Sequence, residues 1–234
     1  MSAHARLSAI GFDADDTLWR HEDFYRRTEE RLVALLADHG DADAILFKLR
    51  DVELRNLSLY GYGVKGFTLS MIETAIAASG AQASAATIDA ILAAGRDLLR
   101  HPIEILPHVR ETLAELAGAF RLILVTKGDL FDQERKLAES GLADFFDAVE
   151  IVSDKTAAVY ARVFARHADG PERAMMVGNS LKSDVIPAIE AGAWGVHVPH
   201  GVTWAVEHAE PPLASPRFGR LDRIDELVGF IARL

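Results

Sequence analysis

The chain contains no cysteine among its 234 residues. This absence excludes disulfide bonds, a thiolate nucleophile, and zinc or iron-sulfur sites with cysteine ligands. The chain also has no excess of basic residues, because it contains 25 Lys and Arg residues and 35 Asp and Glu residues, which give a formal net charge of −10. Such a balance disfavours a protein that neutralises phosphates along DNA or RNA, and we expect no nucleic-acid partner.

Long apolar runs are absent as well. No uninterrupted apolar stretch approaches the roughly 20 residues that cross a bilayer, and the first ten residues, MSAHARLSAI, lack the hydrophobic segment of a signal peptide. We therefore expect no membrane partner and a cytoplasmic location. Half of the residues are hydrophobic, which is enough to bury the core of one large domain or of a domain with an insertion. Nothing in the pattern specifies an oligomeric state.

Helices and strands alternate after residue 103, as a parallel sheet with crossover helices requires. A first strand covers residues 7–12, well before this alternation begins. The later predicted strands are 122–125, 148–152, 174–177, 194–198 and an edge strand at 218–221. The predicted helices around them are 107–118, 130–139, 155–167, 183–191 and 224–233.

A block with helical periodicity interrupts this α/β pattern after the first strand. Within it, Ser70 and Glu73 form a candidate capping box for a helix that ends at Gly80, and Pro102 ends the last helix. We therefore divide the chain into an α/β core and a helical insertion. The core is predicted to comprise residues 1–19 and 103–234, and the insertion residues 20–102.

Polar residues follow four of the predicted strands. In open α/β sheets the ligand crevice lies beyond the carboxyl ends of the strands, so these residues are candidates for one common site. They are Asp13 and Asp15 after the first strand, Thr126 and Lys127 at the end of the second, Lys155 beyond the third, and Gly178 to Asp184 after the fourth.

The carboxylates of Asp13, Asp15 and Asp16 are crowded into four positions. Like charges this close raise each other's pKa unless cations offset them. Mg²⁺ suits such a place, because it takes one or two carboxylates and leaves its other positions to water and phosphate oxygens. The alternative is that these are turn and helix-cap residues, above all Asp16. The alternative for Thr126 is that its hydroxyl only hydrogen-bonds the backbone. The alternative for Lys155 is that it is a solvated residue at the start of a helix.

The ordered set resembles the haloacid dehalogenase superfamily, in its phosphatase branch. The first family motif is matched by Asp13-Ala-Asp15-Asp-Thr17, the second by Thr126, the third by Lys155 and the fourth by Gly178 to Asp184. This resemblance implies a doubly wound, Rossmann-like parallel sheet as the core. It also implies that the helical insertion is a cap of the type placed after the first strand, called C1.

The resemblance implies a Mg²⁺-dependent phosphatase that hydrolyses small phosphate monoesters, with a small phosphorylated metabolite as substrate. It also implies that Asp13 attacks phosphorus and forms an aspartyl-phosphate, while Asp15 protonates the departing oxygen and then takes a proton from water. The implied phosphate-binding residues are Thr126, Lys127 and Lys155. The implied metal ligands are Asp13, Asp15 through its backbone carbonyl, Asn179 and Asp184.

Two positions depart from the family pattern. Asn179 stands where relatives usually carry Asp, and Thr156 stands where proline is common. An amide oxygen brings no charge to a metal, so Asn179 leaves open a catalytically weakened protein that binds a phosphorylated ligand. A phosphomutase of the same family is a further alternative. The acid Asp15 favours phosphate esters over dehalogenation, since only an alkoxide leaving group needs a proton.

The segment GYGVKG matches G-x-G-x-x-G through Gly61, Gly63 and Gly66. A dinucleotide site is not expected, because this segment lies between predicted helices rather than between a strand and a helix. We predict a flexible cap loop in which Tyr62 and Lys65 contact the leaving group of the substrate; a solvated loop lysine is the alternative for Lys65.

Overall fold

A computed structural model describes residues 7–201, 204 and 207–234. Within these ranges six strands form one parallel sheet in the order β3-β2-β1-β4-β5-β6. The strands are β1 (Ala9–Phe12), β2 (Arg121–Lys127), β3 (Ala148–Val152), β4 (Ala174–Gly178), β5 (Trp194–His197) and β6 (Phe218–Arg220). The prediction of a doubly wound, Rossmann-like sheet is confirmed.

The described residues also form nine α-helices. They are α1 (Glu22–Leu35), α2 (Ala42–Tyr60), α3 (Val64–Ala78), α4 (Ala85–Leu99), α5 (Val109–Leu116), α6 (Leu130–Ser140), α7 (Ala157–His167), α8 (Ile186–Glu190) and α9 (Glu226–Ile231). None of these helices combines the length and the hydropathy that crossing a bilayer requires.

The sheet is covered on both faces, as expected for parallel strands with crossover helices. Ile10, Leu122 and Leu124 belong to one apolar cluster, which includes residues of α5 and α9. Ile123 and Met176 belong to a second cluster, which includes residues of α7 and α8. Strands β1 and β4 are therefore apolar along their whole length, and β2 is apolar between Arg121 and Thr126. Polar residues stand where these three strands end.

The described chain divides into two compact units. A sheet unit comprises the described residues of Met1–Glu22, Ile103–Lys127 and Gln133–Leu234. A helical unit comprises Asp23–Pro102 and Gly128–Asp132. The helical unit has an apolar core of its own, built on Leu32, Leu36, Ile45, Leu49, Phe67, Met71, Ala75 and Ile91.

The capping box predicted at Ser70 is wrong. Helix α3 begins at Val64, so Ser70 lies in its interior. The Ser70 hydroxyl donates to the Gly66 carbonyl at 2.9 Å and accepts from Asn56 Nδ2 at 3.1 Å. Serine can bond the carbonyl four residues earlier inside a helix, and here the same hydroxyl also ties α2 to α3.

The predicted loop through GYGVKG is wrong for half of its residues, because α3 begins at Val64. Only the turn between α2 and α3 is non-helical, and both Gly61 and Gly63 adopt positive φ there, at 70° and 112°. Glycine takes this conformation without steric penalty, so two glycines suffice to reverse the chain. Lys65 therefore lies in the first turn of α3 rather than in a loop.

The helix predicted at 183–191 is split. A π-helical turn, Leu181–Val185, precedes the short helix α8. Proline at position 187 has no N–H to offer the Ser183 carbonyl four residues earlier. That carbonyl instead accepts the Tyr160 hydroxyl at 3.0 Å, and the π-helical turn carries Asp184.

Candidate active site

Asp13 is the first residue after β1, and its position is fixed by the neighbouring strand. Its backbone N–H donates to the Val177 carbonyl of β4 at 2.9 Å. The buried side chain accepts from Lys155 Nζ through Oδ1 and from the Thr17 hydroxyl, at 2.9 Å, through Oδ2. Both oxygens of Asp13 are therefore oriented by hydrogen bonds.

Asp184 binds the same ammonium as Asp13. Lys155 Nζ donates to Asp184 Oδ1 at 2.7 Å, and the Ser180 N–H donates to Oδ2 at 3.0 Å. Glycine at position 178 makes this arrangement possible, because a Cβ there would lie 2.2 Å from Asp184 Oδ2. The carboxyl end of β4 is shaped to admit this carboxylate.

These contacts bury two carboxylates around one ammonium. Burial raises the pKa of Asp13 to about 7, the charge of Asp184 adds to the rise, and Lys155 offsets part of it. Burial by itself lowers the pKa of Lys155, but the charges of Asp13 and Asp184 outweigh burial and leave it above its ordinary value. The Asp13 cluster, which we define as Asp13, Lys155 and Asp184, therefore has more negative than positive charge.

Asp15 lies only two residues further along but contacts different partners. Its Oδ1 accepts from Trp19 Nε1 at 2.7 Å and from Lys136 Nζ at 2.6 Å, and its Oδ2 accepts from Gln133 Nε2 at 3.0 Å. His21 Nδ1 lies 3.4 Å from Oδ1. Burial acts to raise the pKa of Asp15, but the charges of His21 and Lys136 overcome it and hold this pKa well below its usual range.

The two polar residues that end β2 belong to different groups. Thr126 Oγ1 accepts from Gln133 Nε2 at 2.7 Å, so the hydroxyl shares a donor with Asp15. Lys127 Nζ instead lies 2.5 Å from Glu207 Oε1 and 2.8 Å from Ser183 Oγ. Thr126 is thus linked to Asp15 through Gln133, whereas Lys127 is paired with the carboxylate of Glu207.

Asn179 is joined to the Asp13 cluster through Thr17. Its backbone N–H donates to the Thr17 hydroxyl at 3.0 Å, and its Oδ1 lies 3.4 Å from that hydroxyl. The Asn179 carbonyl lies 3.0 Å from His197 Nε2. Asp16 stands apart from both groups, because its carboxylate accepts the N–H groups of residues 21 and 22 at the start of α1 and acts as a cap.

A family model of haloacid dehalogenase-like hydrolases matches residues 7–192. The chain belongs to this family. A haloacid dehalogenase-like family hydrolase from Xanthomonas campestris is 41% identical, with a TM-score of 0.87 and coverage of 97% of this chain and 91% of that one. A putative HAD-hydrolase from Bacillus subtilis, solved with bound magnesium, is 17% identical, with a TM-score of 0.65 and coverage of 97% and 99%. At 17% identity the second likeness shows the fold alone.

A curated relative carries a more specific name. The glyceraldehyde 3-phosphate phosphatase of Methanothermobacter thermautotrophicus is 30% identical over 112 residues, which are 44% of this chain. The chain spans about half the length of that relative, 49%. Solved haloacid dehalogenase-like structures of similar fold include a 2-haloacid dehalogenase, so fold alone does not choose the reaction within this family.

The oxygen donors around Asp13 fit the magnesium that this family typically uses. In the described part of the chain, no three His, Asp or Glu side chains are arranged as a ligand set. Mg²⁺ does not need such a set, because it binds through one or two carboxylates and keeps water or phosphate in its other positions. Asp13 and Asp184 supply two carboxylates, which both bind Lys155 Nζ in this structure. Asn179 supplies an amide oxygen, and the excess negative charge of the Asp13 cluster favours a further cation.

Two predicted site residues lie in the helical unit. Tyr62 is in the turn before α3. Lys65 Nζ donates to both carboxylate oxygens of Asp129, at 3.0 and 2.9 Å, and 57% of the lysine side chain is exposed. Their contact with a substrate stays a prediction.

Sequence reasoning did not select Gln133, Lys136 or Glu207. A signal existed for the first two, since Gln133 and Lys136 share a helical face with Leu137, which an amphipathic α6 buries. Two polar residues on that face, just after the second motif, point to buried partners. Glu207 had no such signal, because it lies between β5 and β6 outside any helical or strand pattern.

Proposed function

We propose that the protein is a Mg²⁺-dependent phosphatase of small phosphate monoesters that reacts through an aspartyl-phosphate. The observation that carries this proposal is the placement of Asp13 and Asp15 at one strand end with different partners. Lys155 binds the Asp13 carboxylate, and Gln133 links the Asp15 carboxylate to the Thr126 hydroxyl. A nucleophile beside a cation, with a second carboxyl group two residues away, is an arrangement suited to covalent catalysis with a separate acid and base.

Asp13 is the nucleophile in this proposal. One of its carboxylate oxygens forms a bond to phosphorus while the bond from phosphorus to the ester oxygen breaks. Lys155 and the Thr126 hydroxyl bind the transferring phosphoryl oxygens, and Lys155 also offsets their charge. For Lys127 to take part, phosphate oxygens must replace the carboxylate of Glu207 that it contacts in this structure.

Asp15 is the acid and then the base. The ion pairs around it favour the carboxylate, which is the state that takes a proton from the water attacking the aspartyl-phosphate. The earlier step requires a protonated Asp15 to donate to the departing ester oxygen. The negative charge of a bound phosphate ester raises the pKa of a nearby carboxyl group, so the proposal assigns this protonation to the substrate complex.

Mg²⁺ would be held by the carboxylates of Asp13 and Asp184, by Asn179 Oδ1 and by the backbone carbonyl of Asp15. When bound, it supplies positive charge that offsets the negative charge of the phosphate and of the carboxylates. The phosphatase name of the 30% identical relative supports a small phosphorylated substrate. We assign the choice among such substrates to the helical unit as a cap, with Tyr62 and Lys65 as its specificity residues.

The direct test is turnover of p-nitrophenyl phosphate with Mg²⁺ and with a chelator. We expect activity only with the metal, and a loss of kcat of about 10⁴-fold or more in Asp13→Asn, because the nucleophile is removed. The matched control is Asp16→Asn, in the same motif. Asparagine also caps helices, so this variant should keep kcat within about threefold. Full turnover in the chelator, or in Asp13→Asn, would contradict the proposal.

A further inference from the structure

Two polar side chains of α6 are buried against Asp15. Lys136 is 5% exposed and Gln133 is 2% exposed, and they stand three residues apart on one helical face. Lysine and glutamine are seldom buried unless their polar groups are paired. Here both are paired with the carboxylate of Asp15.

The two donors hold different oxygens of that carboxylate. Lys136 Nζ binds Oδ1 at 2.6 Å, and Gln133 Nε2 binds Oδ2 at 3.0 Å. A carboxylate held at both oxygens has little freedom to rotate about its terminal bond. Trp19 Nε1, at 2.7 Å from Oδ1, holds the group from a third direction.

Gln133 also links Asp15 to the end of β2. Its Nε2 lies 2.7 Å from Thr126 Oγ1 and 2.9 Å from the Lys127 carbonyl, in addition to Asp15. An amide nitrogen has two hydrogens, so three acceptors compete for them. Gln133 Oε1 is buried and has no hydrogen-bond partner among the described residues. Leaving this oxygen without a partner is unfavourable. The direction of the amide is therefore set by the three acceptors of its nitrogen.

We propose that Lys136 and Gln133 are positioning residues, which hold the Asp15 carboxyl group in the direction from which it exchanges protons with the leaving oxygen and the attacking water. This inference rests on the proposed phosphatase function. It assigns no contact with substrate to either residue. Their effect on the reaction passes through Asp15.

A positioning role predicts dependence on the leaving group. An aryl phosphate such as p-nitrophenyl phosphate releases an oxygen that is stable as an anion and needs little proton transfer. An alkyl phosphate such as ethyl phosphate releases an alkoxide, which must be protonated as the bond to phosphorus breaks. Misplacing Asp15 should therefore slow the alkyl ester far more than the aryl ester.

The test compares Lys136→Met with Arg135→Met on both esters. Each variant removes one positive charge from α6, but Arg135 pairs with Glu139 instead of Asp15. For Lys136→Met we expect kcat on ethyl phosphate to fall about 10²-fold, kcat on p-nitrophenyl phosphate to fall less than tenfold, and both KM values to stay within about threefold. Arg135→Met should leave all four constants near those of the parent protein. Equal losses on the two esters in Lys136→Met would overturn the inference.

A double-mutant cycle separates positioning from a general structural effect. In an Asp15→Asn background, Lys136→Met should cause no further loss on ethyl phosphate, since the group that it positions is already gone. Multiplicative losses would overturn the inference. Circular dichroism checks the fold of each variant, and if Lys136→Met unfolds, Lys136→Gln takes its place in the same two-ester comparison and the same cycle, with the same expected and contrary results.

The two proposals fail in different ways. If the parent protein hydrolyses neither ester, or does so without Asp13, the phosphatase proposal fails. If hydrolysis depends on Asp13 but Lys136→Met slows both esters equally, only the positioning role fails.

Discussion

Asp13 and Asp15 are two residues apart, but Asp13 is buried, Asp15 is partly buried, and their charged neighbours differ. Asp13 shares one ammonium with a second carboxylate, Asp184. Asp15 binds the ammonium of a different lysine, Lys136, with His21 close by. Burial acts to raise the pKa of both carboxyl groups. The pKa of Asp13 is raised to about 7, but that of Asp15 is held below its usual range by the charges of His21 and Lys136.

Since burial acts in the same direction on both carboxyl groups, the neighbouring charges account for the opposite directions of the two pKa shifts. Two carboxylates around one lysine leave an excess of negative charge, which a metal ion or a proton can satisfy. One carboxylate facing a lysine and a histidine has no such excess. In the proposed mechanism, a single strand end would thus provide one group that binds a cation and attacks phosphorus, and a second group that exchanges protons.

Removing the shared ammonium should have the largest effect on this contrast. Lys155→Met leaves Asp13 and Asp184 buried without their cation, and we expect a loss of about 3–5 kcal/mol in the free energy of unfolding at pH 8. The loss should shrink toward pH 5, because protonation removes the repulsion between the two carboxylates. Urea unfolding at both pH values, without metal, measures it.

The matched control for this loss is Lys182→Met. Lys182 is exposed, and surface substitutions usually change stability by no more than about 0.5 kcal/mol. A loss in Lys155→Met that is independent of pH would mean that the lysine stabilises the fold through packing instead of through its two carboxylates.

Much of this arrangement follows from the sequence. Each strand predicted after residue 103 is present within two residues of its expected bounds, because parallel strands buried on both faces are apolar throughout and end abruptly in polar residues. The joining of Asp13, Lys155 and Asp184 follows from the same rule, since the carboxyl ends of neighbouring strands meet at one edge.

The partners of Asp15 do not follow from strand order. Lys136 and Gln133 reach it from within a helix, and helix periodicity gives the face of a residue but not the side chain that it meets. The π-helical turn at Leu181–Val185 and the start of α3 at Val64 were likewise missed. These features depend on Pro187 and on a pair of positive-φ glycines, whose effects appear only when the surrounding chain is in place.

A smaller effect is expected from a substitution that disturbs the geometry of the Asp13 cluster. In Gly178→Ala the new Cβ would lie 2.2 Å from Asp184 Oδ2, so the Asp184 carboxylate must leave its present position. We expect a destabilisation of about 1–3 kcal/mol, typical of overpacking, and weaker Mg²⁺ binding by titration calorimetry.

Gly118→Ala is the control for this substitution, because nothing lies within 4 Å of the Cβ position at that glycine. Its stability and metal affinity should match those of the parent protein. Unchanged Mg²⁺ affinity in Gly178→Ala would show that Asp184 does not contribute to the metal site.

The smallest expected effect comes from a change of pH without any substitution. The pKa of Asp13 rises from 3.8 to about 7 on folding, so between these values the folded protein binds more protons than the unfolded chain and stability falls as pH rises. One proton gives a slope of at most about 1.4 kcal/mol per pH unit. Asp15, whose pKa is lowered, should act in a different window, with its stabilisation lost only as pH falls below about 4.

Unfolding from pH 3 to pH 8 separates the two windows. Without metal, Asp13→Asn should remove the slope between pH 4 and pH 7. Asp15→Asn should keep that slope, lower the stability above pH 4, and remove the slope below pH 4. Mg²⁺ competes with the proton for Asp13, so it should stabilise the parent protein more at pH 8 than at pH 5. If the slope between pH 4 and pH 7 persists in Asp13→Asn, a group other than Asp13 takes up the proton. The two carboxyl groups would then no longer be distinguished by their electrostatics.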